Sequence, residues 1–566
     1  MDEEGRLRII SENYADFIID YDASTERLNE FVNDTINFID QRYAIIYFDI
    51  RRVTRALLYE SGYAVIPNLY GLTDTANLEE MGVKKLQSIP ALSLRGEDVL
   101  LGFVDTGIDY TNEVFKNQDG TTRILSIWDQ TIVNMQASNE IFFYGAEYTS
   151  EMINQALLSE DPYGIVPSVD ENGHGTTLAG LAGGSVNAEG DFVGVAPSAQ
   201  FVIVKLKPAK STLKDYLCVA PDVICYQEND IMFAVQYLFN TARKYRKPIA
   251  ICIGLGTNQG AHDGRSYLDQ LLSGIAGRLG IAVVISAGNE GNAGHHYFGR
   301  VDQISGYDTV ELKVGQNEYG FTMEIWGQAP GIYSIDIVSP SGEYIPRIPA
   351  RLGENREIRF LFENTVVLID YLIVEAQTGD QLIFCRFKNP ASGVWKFRVY
   401  GKGDINTGFH IWLPMRGFIS EETYFVRPNP DTTITNPGNG MIPITITAYD
   451  HRNQSIYRNA SRGYSRENII KPDLAAPGVE VYGPTLNGVF STFSGTSMSA
   501  AEVTGVAAML LEWGIVRGNY IYMETLEVKK FLIRGVKRLP NIVYPNREWG
   551  YGMIDIYRTF ESLRGE

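Results

Sequence analysis

The chain of 566 residues is too long for one ordinary core, which makes two or three domains the expectation. With 45% hydrophobic and 21% charged residues it has the composition of a globular protein rather than a disordered one. Its 49 basic and 68 acidic side chains leave a net charge of −19 without a long charge block, which argues against a nucleic-acid partner or an anionic membrane surface.

The first ten residues, MDEEGRLRII, lack the basic and apolar regions of a secretion signal. No stretch nears the roughly 20 uninterrupted apolar residues of a membrane span. These features predict a protein made in the cytoplasm, without a secretion signal and with no membrane span. Residues 1–75 read as a small α/β unit. A strand at 16–21 leads to Ser24, placed to cap a helix whose apolar face is Leu28, Val32, Ile36 and Ile39. A second strand follows at 43–50 and an extended run at 62–67, before a turn-rich, accessible stretch at 71–76.

From about residue 97 to 300 the pattern is strand, loop, helix, repeated. The strands at 98–104, 200–206, 248–253 and 280–286 are nearly continuous apolar runs, as in a parallel sheet covered by helices on both faces. Between 305 and 420 the texture changes to short alternating segments (309–313, 320–326, 332–338, 395–400) separated by Gly, Pro, Asn and Asp. That is the pattern of an antiparallel β-sandwich. The α/β texture returns at 442–448 and runs through a long helix near 497–513, so the sandwich is an insertion and not a tail.

Four cysteines (Cys218, Cys225, Cys252, Cys385) are too few for a disulfide framework in so long a chain. Cys252 lies in an apolar run and reads as buried filler. Cys218 and Cys225 are close enough in sequence to pair or bind metal, although no second ligand pair stands nearby. His295 and His296, in a Gly/Asn-rich loop, are expected to face solvent. No HExxH or CxxC spacing is present, and no metal or cofactor is expected.

Three short motifs carry chemistry. The first, Val104-Asp105-Thr106-Gly107-Ile108-Asp109, sets a carboxylate at the C-terminal end of a buried strand, the edge where ligands collect in open α/β sheets. Alone it reads more often as a turn. In the second, Asn172-Gly173-His174-Gly175-Thr176-Thr177, flanking glycines let the histidine approach another backbone closely. The third, Ser494-Gly495-Thr496-Ser497-Met498-Ser499, opens a helix. Ser497 there reads as a cap, or as a nucleophile beside backbone N–H groups and a helix dipole that stabilise an oxyanion.

The order Asp, His, Ser is that of subtilisin-type triads and not of chymotrypsin or the α/β-hydrolases. DTGID, NGHGT and SGTSMS resemble the three signature blocks of the subtilase family over roughly residues 76–300 and 420–566. SAGNEG at 286–291 resembles the block that supplies the oxyanion asparagine. The resemblance implies a subtilisin-like serine endopeptidase with Ser497 as nucleophile, His174 as general base and Asp105 as its orienting carboxylate. Asn289 is then the oxyanion donor, and Gly254-Leu255-Gly256 the strand that pairs with substrate and walls the pocket of the residue preceding the cut. Glycine replaces the family's usual serine at 254. Ala501 and Glu502 replace its proline and histidine after the nucleophile.

The resemblance also implies that residues 1–75 are a prodomain that chaperones folding, with self-cleavage at Thr75–Ala76. The implied fold is thus a subtilisin-like α/β domain (76–566) with an N-terminal α/β prodomain and an inserted β-sandwich, or jelly roll, at 305–420. Segments such as GFVDTGIDYTNEVF, TTRILSIWDQT and KPDLAAPG are similar to the clostridial spore-germination subtilases, the Csp group. That similarity implies a place in the cortex or coat region of a bacterial spore and a spore-cortex hydrolase zymogen as protein substrate. The chain's own prodomain, and related subtilases that have lost triad residues, are the implied further partners. A general intracellular protease and a non-catalytic germinant-sensing scaffold remain the alternatives.

Overall fold

The computed structural model describes residues 3–23, 28, 31, 34–53, 62–72, 81–87, 92–133, 142–188, 190–402 and 408–563.

The core is a nine-stranded sheet that is parallel through seven of its strands. Its members are β5 (Leu100–Asp105), β6 (Ile124–Asp129), β7 (Ala146–Thr149), β8 (Gln200–Lys205), β10 (Ile249–Ile253), β12 (Ile281–Ser286), β13 (Ile444–Asp450), β14 (Leu474–Pro477) and the short strand Ser455–Ile456. The order is 455–456, β13, β12, β10, β5, β8, β6, β7, with β14 also on β13. The apolar runs are continuous because both faces are covered. Leu101, Phe103, Ala250, Cys252 and Ala282 point to one hydrophobic cluster, and Leu100, Val104, Ile249, Ile251 and Val283 to the other. Helices α1 (His174–Gly183) and α4 (Thr496–Leu511) fill the first cluster. Helices α2 (Glu228–Tyr245) and α3 (Tyr267–Ala276) fill the second. Small strand residues on the first face, Ala250 and Ala282, give α4 room to lie close to the sheet.

Thr496–Val516 is long and apolar enough to cross a membrane, but 83% of its apolar window is buried against this sheet, as in a core helix. Glu502 lies on it, buried, and neither carboxylate oxygen has a hydrogen-bond partner. Desolvation alone pushes its pKa well above the usual range, so the folded chain keeps it neutral. An unfolded glutamate ionises near pH 4.3, so this carboxyl's contribution to stability is complete below about pH 4.3 and is lost as pH rises towards its folded pKa. The slope is about 1.4 kcal/mol per pH unit. Glu502→Gln is therefore expected to raise the melting temperature increasingly from pH 5 to pH 8. A stability difference independent of pH would contradict this assignment.

The N-terminal unit pairs β1 (Tyr14–Asp20) with β3 (Tyr43–Asp49) and β3 with β2 (Thr35–Phe38), all antiparallel. The helix expected to run from Ser24 to Ile39 does not extend to its end. Ile36 sits in β2 opposite Ile46, and Ile39 lies in the turn after it. The β-branched pair Thr35-Ile36 and a waiting edge on β3 outweigh the helical spacing. Ser24 and Val32 fall outside the described residues. The extended run at 62–67 contains a 3-10 turn at Tyr63–Val65.

Buried polar contacts fasten this unit to the sheet domain. Lys210 Nζ lies 2.5 Å from Asp16 Oδ1. Asp16 Oδ2 accepts from Gln227 Nε2 at 3.1 Å and Asn229 Nδ2 at 3.0 Å.

The insertion is an antiparallel sandwich of six- and five-stranded sheets around one apolar core. Its strands run from His296 to Phe425, wider than the 305–420 read from texture. The strand His296–Arg300 was hidden because its histidine and glycine do not alternate with apolar residues. Arg466 of the sheet domain meets Asp380 of the sandwich at 2.5 Å. All four cysteines are free and buried.

Candidate active site

Asp105 ends β5, and its Oδ1 accepts from Thr106 N–H at 2.8 Å. His174 is the first residue of α1, after Gly173 at φ 89°. In that left-handed conformation a side chain is strained, so glycine before His174 has a backbone reason. The glycine after it has a packing one. A β-carbon on Gly175 would stand 2.3 Å from the Gly107 carbonyl oxygen and 3.2 Å from Asp105 Cβ. The absence of that carbon lets the histidine helix close onto the Asp105 turn, where Gly175 N–H donates to Thr106 Oγ1 at 3.0 Å.

This approach produces a line of three side chains. His174 Nδ1 is 2.7 Å from Asp105 Oδ1, and His174 Nε2 is 3.3 Å from Ser497 Oγ. Asp105 is 1% exposed, so the ion pair that forms when the imidazole gains a proton is shielded from water. Ser497 is the second residue of α4 and is fully buried.

Asn289 follows β12. Its Oδ1 accepts from the Thr496 N–H and the Thr496 Oγ1–H, each at 3.3 Å. A backbone N–H can only donate, so it fixes which end of the amide faces Thr496 and leaves Nδ2 for the reacting side. Thr496 Oγ1 in turn accepts from Gly288 N–H at 3.1 Å. This threonine, which the sequence reading passed over, ties the asparagine loop to the serine helix.

β11 (Leu255–Gly256) is the predicted substrate-pairing strand, and it is already paired. β4 (Leu69–Leu72) lies antiparallel on it, with Gly71 opposite Gly256 and Leu72 opposite Leu255. On its other edge β4 pairs with β9 (Tyr226–Gln227). A strand of the N-terminal unit thus fills the cleft between two edges. Asn68 just before it is held by Glu228, which accepts from both Asn68 N–H and Nδ2 at 3.1 Å. Gln259 Oε1 accepts from Leu69 N–H at 2.9 Å. Thr75 and Ala76 lie outside the described residues.

Glycine at 254 also has a local cause. A β-carbon there would stand 2.7 Å from Leu178 Cδ1, 3.3 Å from His174 Cε1 and 3.4 Å from Ser497 Cβ. Leu178 of α1 occupies the space that the family's serine side chain would take.

Asp170 was also missed. Its Oδ1 accepts from Asn172 and Gly173 N–H, and its Oδ2 from Thr176 N–H and Oγ1–H, which secures the turn that delivers His174. The signal was an acidic residue just ahead of the helix start. Asp109 is structural, accepting from Thr111 and from Asn487 N–H.

His295 and His296 do not face solvent. His295 Nδ1 is 3.0 Å from Glu290 Oε2, and His296 Nε2 is 2.9 Å from His410 Nδ1. The sandwich covers both, which loop composition could not reveal. Among the described residues no group of three or more His, Cys, Asp or Glu is arranged to hold a metal.

Comparison with known proteins gives concordant results. The model of the subtilase family matches residues 96–311 and 420–552, more than half of the chain. The break falls within the sandwich. Among curated proteins, Subtilisin-like protease SBT3.6 of Arabidopsis thaliana is 25% identical over 507 residues, covering 79% of this chain and 60% of that protein. Subtilisin-like protease SBT3 of Solanum lycopersicum is 26% identical over 482 residues, covering 74% and 56%. The chain therefore spans about 60% or less of the length of these relatives. The solved structure of the Clostridium perfringens CspB protease superposes with a TM-score of 0.76 at 30% identity, covering 86% of this chain and 98% of that one. The sheet order, the placement of the four sequence blocks on it and these matches lead to one family, and the chain belongs to the subtilases.

Proposed function

We propose that this chain is a serine endopeptidase that first cleaves itself and then acts on another protein. The observation that carries the reading is the hydrogen-bonded line Asp105–His174–Ser497, with Asn289 Oδ1 held by Thr496 beside the nucleophile. Ser497 Oγ attacks the peptide carbonyl while His174 Nε2 takes its proton, and the carbonyl π electrons move to oxygen. Asn289 Nδ2 and backbone N–H at the start of α4 stabilise that oxyanion. The C–N bond then breaks as His174 passes its proton to the leaving amine, and water releases the acyl group by the reverse sequence. Asp105 holds Nδ1–H in place and stabilises the imidazolium.

β4 supports the self-cleavage step. It lies in the cleft as a peptide substrate would, three residues short of Thr75 in sequence. Residues 1–75 in this reading are a prodomain, and β4 must leave before another protein can enter. The fragment released by self-cleavage decides the bond. A C-terminus at Thr73 is the one obtained by counting one residue beyond the Leu72–Leu255 pair to Gly254. A C-terminus at Thr75 is the one expected from the sequence.

The narrower reading is activation of a spore-cortex hydrolase zymogen by limited proteolysis during germination, within the spore. It is supported by the sequence segments similar to the Csp group and by the sandwich inserted between the asparagine and serine blocks. The test is incubation of the purified chain with candidate spore zymogens, beside fluorophosphonate labelling of Ser497. Labelling without zymogen cleavage would keep the peptidase and remove the germination role. No labelling, even after the prodomain is removed, would remove both.

A further inference from the structure

A substrate laid on β11 as β4 is would continue past Leu255 to Gly254, where Ser497 and His174 stand within 3.4 Å of a would-be β-carbon. The residue whose carbonyl meets Ser497 and Asn289 must then send its side chain between two walls, Gly254–Gly256 and Ala287–Asn289. Both walls present a glycine to the same residue, Thr435. A β-carbon on Gly256 would lie 2.4 Å from Thr435 Oγ1. One on Gly288 would lie 2.5 Å from the same oxygen and 2.6 Å from Thr435 Cγ2. A single side chain therefore touches both walls.

Thr435 is fully buried and fixed on every side. Its N–H donates to the Ala287 carbonyl at 3.0 Å, and its Oγ1–H to the same oxygen at 3.3 Å. The residue before it, Ile434, accepts from His262 Nδ1 at 2.7 Å. The residue after it, Asn436, exchanges two backbone hydrogen bonds with Thr257, at 2.9 and 3.0 Å. A larger side chain entering the slot cannot push Thr435 aside without breaking several of these bonds, and close-packed backbone does not yield by an ångström at little cost.

We infer that Thr435 forms the floor of the slot beside Ser497 and limits the residue preceding the cut to glycine, alanine, serine or threonine. The inference rests on the peptidase reading. It fits the sequence after β4, where residues 73–76 are Thr-Asp-Thr-Ala and every bulky residue of 69–72 comes earlier.

Self-processing supplies the test, because the chain is its own substrate and the occupied cleft does not interfere. Mass spectrometry of the N-terminal fragment identifies the residue at the cut, which is then replaced by phenylalanine. In the otherwise unchanged chain this is expected to slow processing by roughly 100-fold, a ratio in the range set by pocket size in other enzymes. Thr435→Gly, with Thr435→Ala beside it, is expected to raise the phenylalanine-to-native rate ratio at least about tenfold by opening the floor.

Processing of the phenylalanine chain at the native rate would overturn the inference. So would an unchanged ratio in both Thr435 variants. If the unmodified chain never processes and Ser497 does not label, the peptidase reading falls first, and the inference falls with it.

Discussion

Alanine at position 497 is expected to leave the chain in one piece, whereas the unmodified protein is expected to resolve into a fragment of about 75 residues and the remainder. The effect should be near complete, because Ser497 Oγ is the hydroxyl that lies against His174 Nε2, at 3.3 Å. His174→Ala should cost about as much as Ser497→Ala. The double variant should cost little more, since each member is useless without the other, with losses on the order of 10⁶ in turnover. Asp105→Asn is the informative intermediate. It keeps the shape of the side chain but presents an amide to Nδ1, selects the wrong imidazole tautomer and should lower the rate about 10⁴-fold. Cutting of the Ser497→Ala chain at the same bond, with other proteases excluded, would sink the assignment. A scaffold with no chemistry predicts instead that none of these substitutions changes anything but stability.

Much of the fold and of the candidate site is legible in the sequence alone. The parallel sheet was legible because strands buried on both faces must be apolar through their length, and β10 is, while β5, β8 and β12 carry polar or charged residues only at their ends. Asp105, His174, Ser497 and Asn289 were legible because each needs particular neighbours: glycines around the histidine, and a helix start under the serine. What escaped was what depends on residues far apart in sequence. Thr496 matters through Asn289, 207 positions away. Thr435 matters through two glycines that precede it by well over a hundred residues. A threonine in a loop carries no local sign of either role. His295 and His296 were misplaced for the same reason, since a loop's composition does not tell that a sandwich will fold over it. The helix expected through Ile39 failed because the free side of β3 offered Ile36 a partner that periodicity does not see. The strand β4 was read only as an accessible stretch, because pairing with both β9 and β11 is a property of the assembled cleft.

The second large effect belongs to Asn289. Its amide is oriented before any substrate arrives, because two donors from Thr496 hold Oδ1 and leave Nδ2 as the end that can donate to substrate. A ground-state carbonyl gains little from that donor, and the tetrahedral oxyanion gains much. Asn289→Ala should therefore slow self-cleavage by a factor of 10² to 10³, about 3 to 4 kcal/mol of transition-state stabilisation. Binding should survive, so the released prodomain should still inhibit the enzyme at unchanged concentration. Asn289→Asp should be at least as damaging, since it turns a negative oxygen towards a developing negative charge. Thr496→Val tests the orienting role separately. It removes the hydroxyl that donates to Asn289 and accepts from Gly288 but keeps the backbone donor, so a loss of roughly tenfold in rate, smaller than that for Asn289→Ala, is the expected outcome. Measured as single-turnover cleavage in the intact chain, Asn289→Asp should lose at least as much as Asn289→Ala, and Thr496→Val the least. Self-cleavage of the Asn289→Ala chain within about threefold of the native rate would move the oxyanion site elsewhere, and equal losses in Asn289→Ala and Thr496→Val would mean that the threonine holds the helix start rather than the amide.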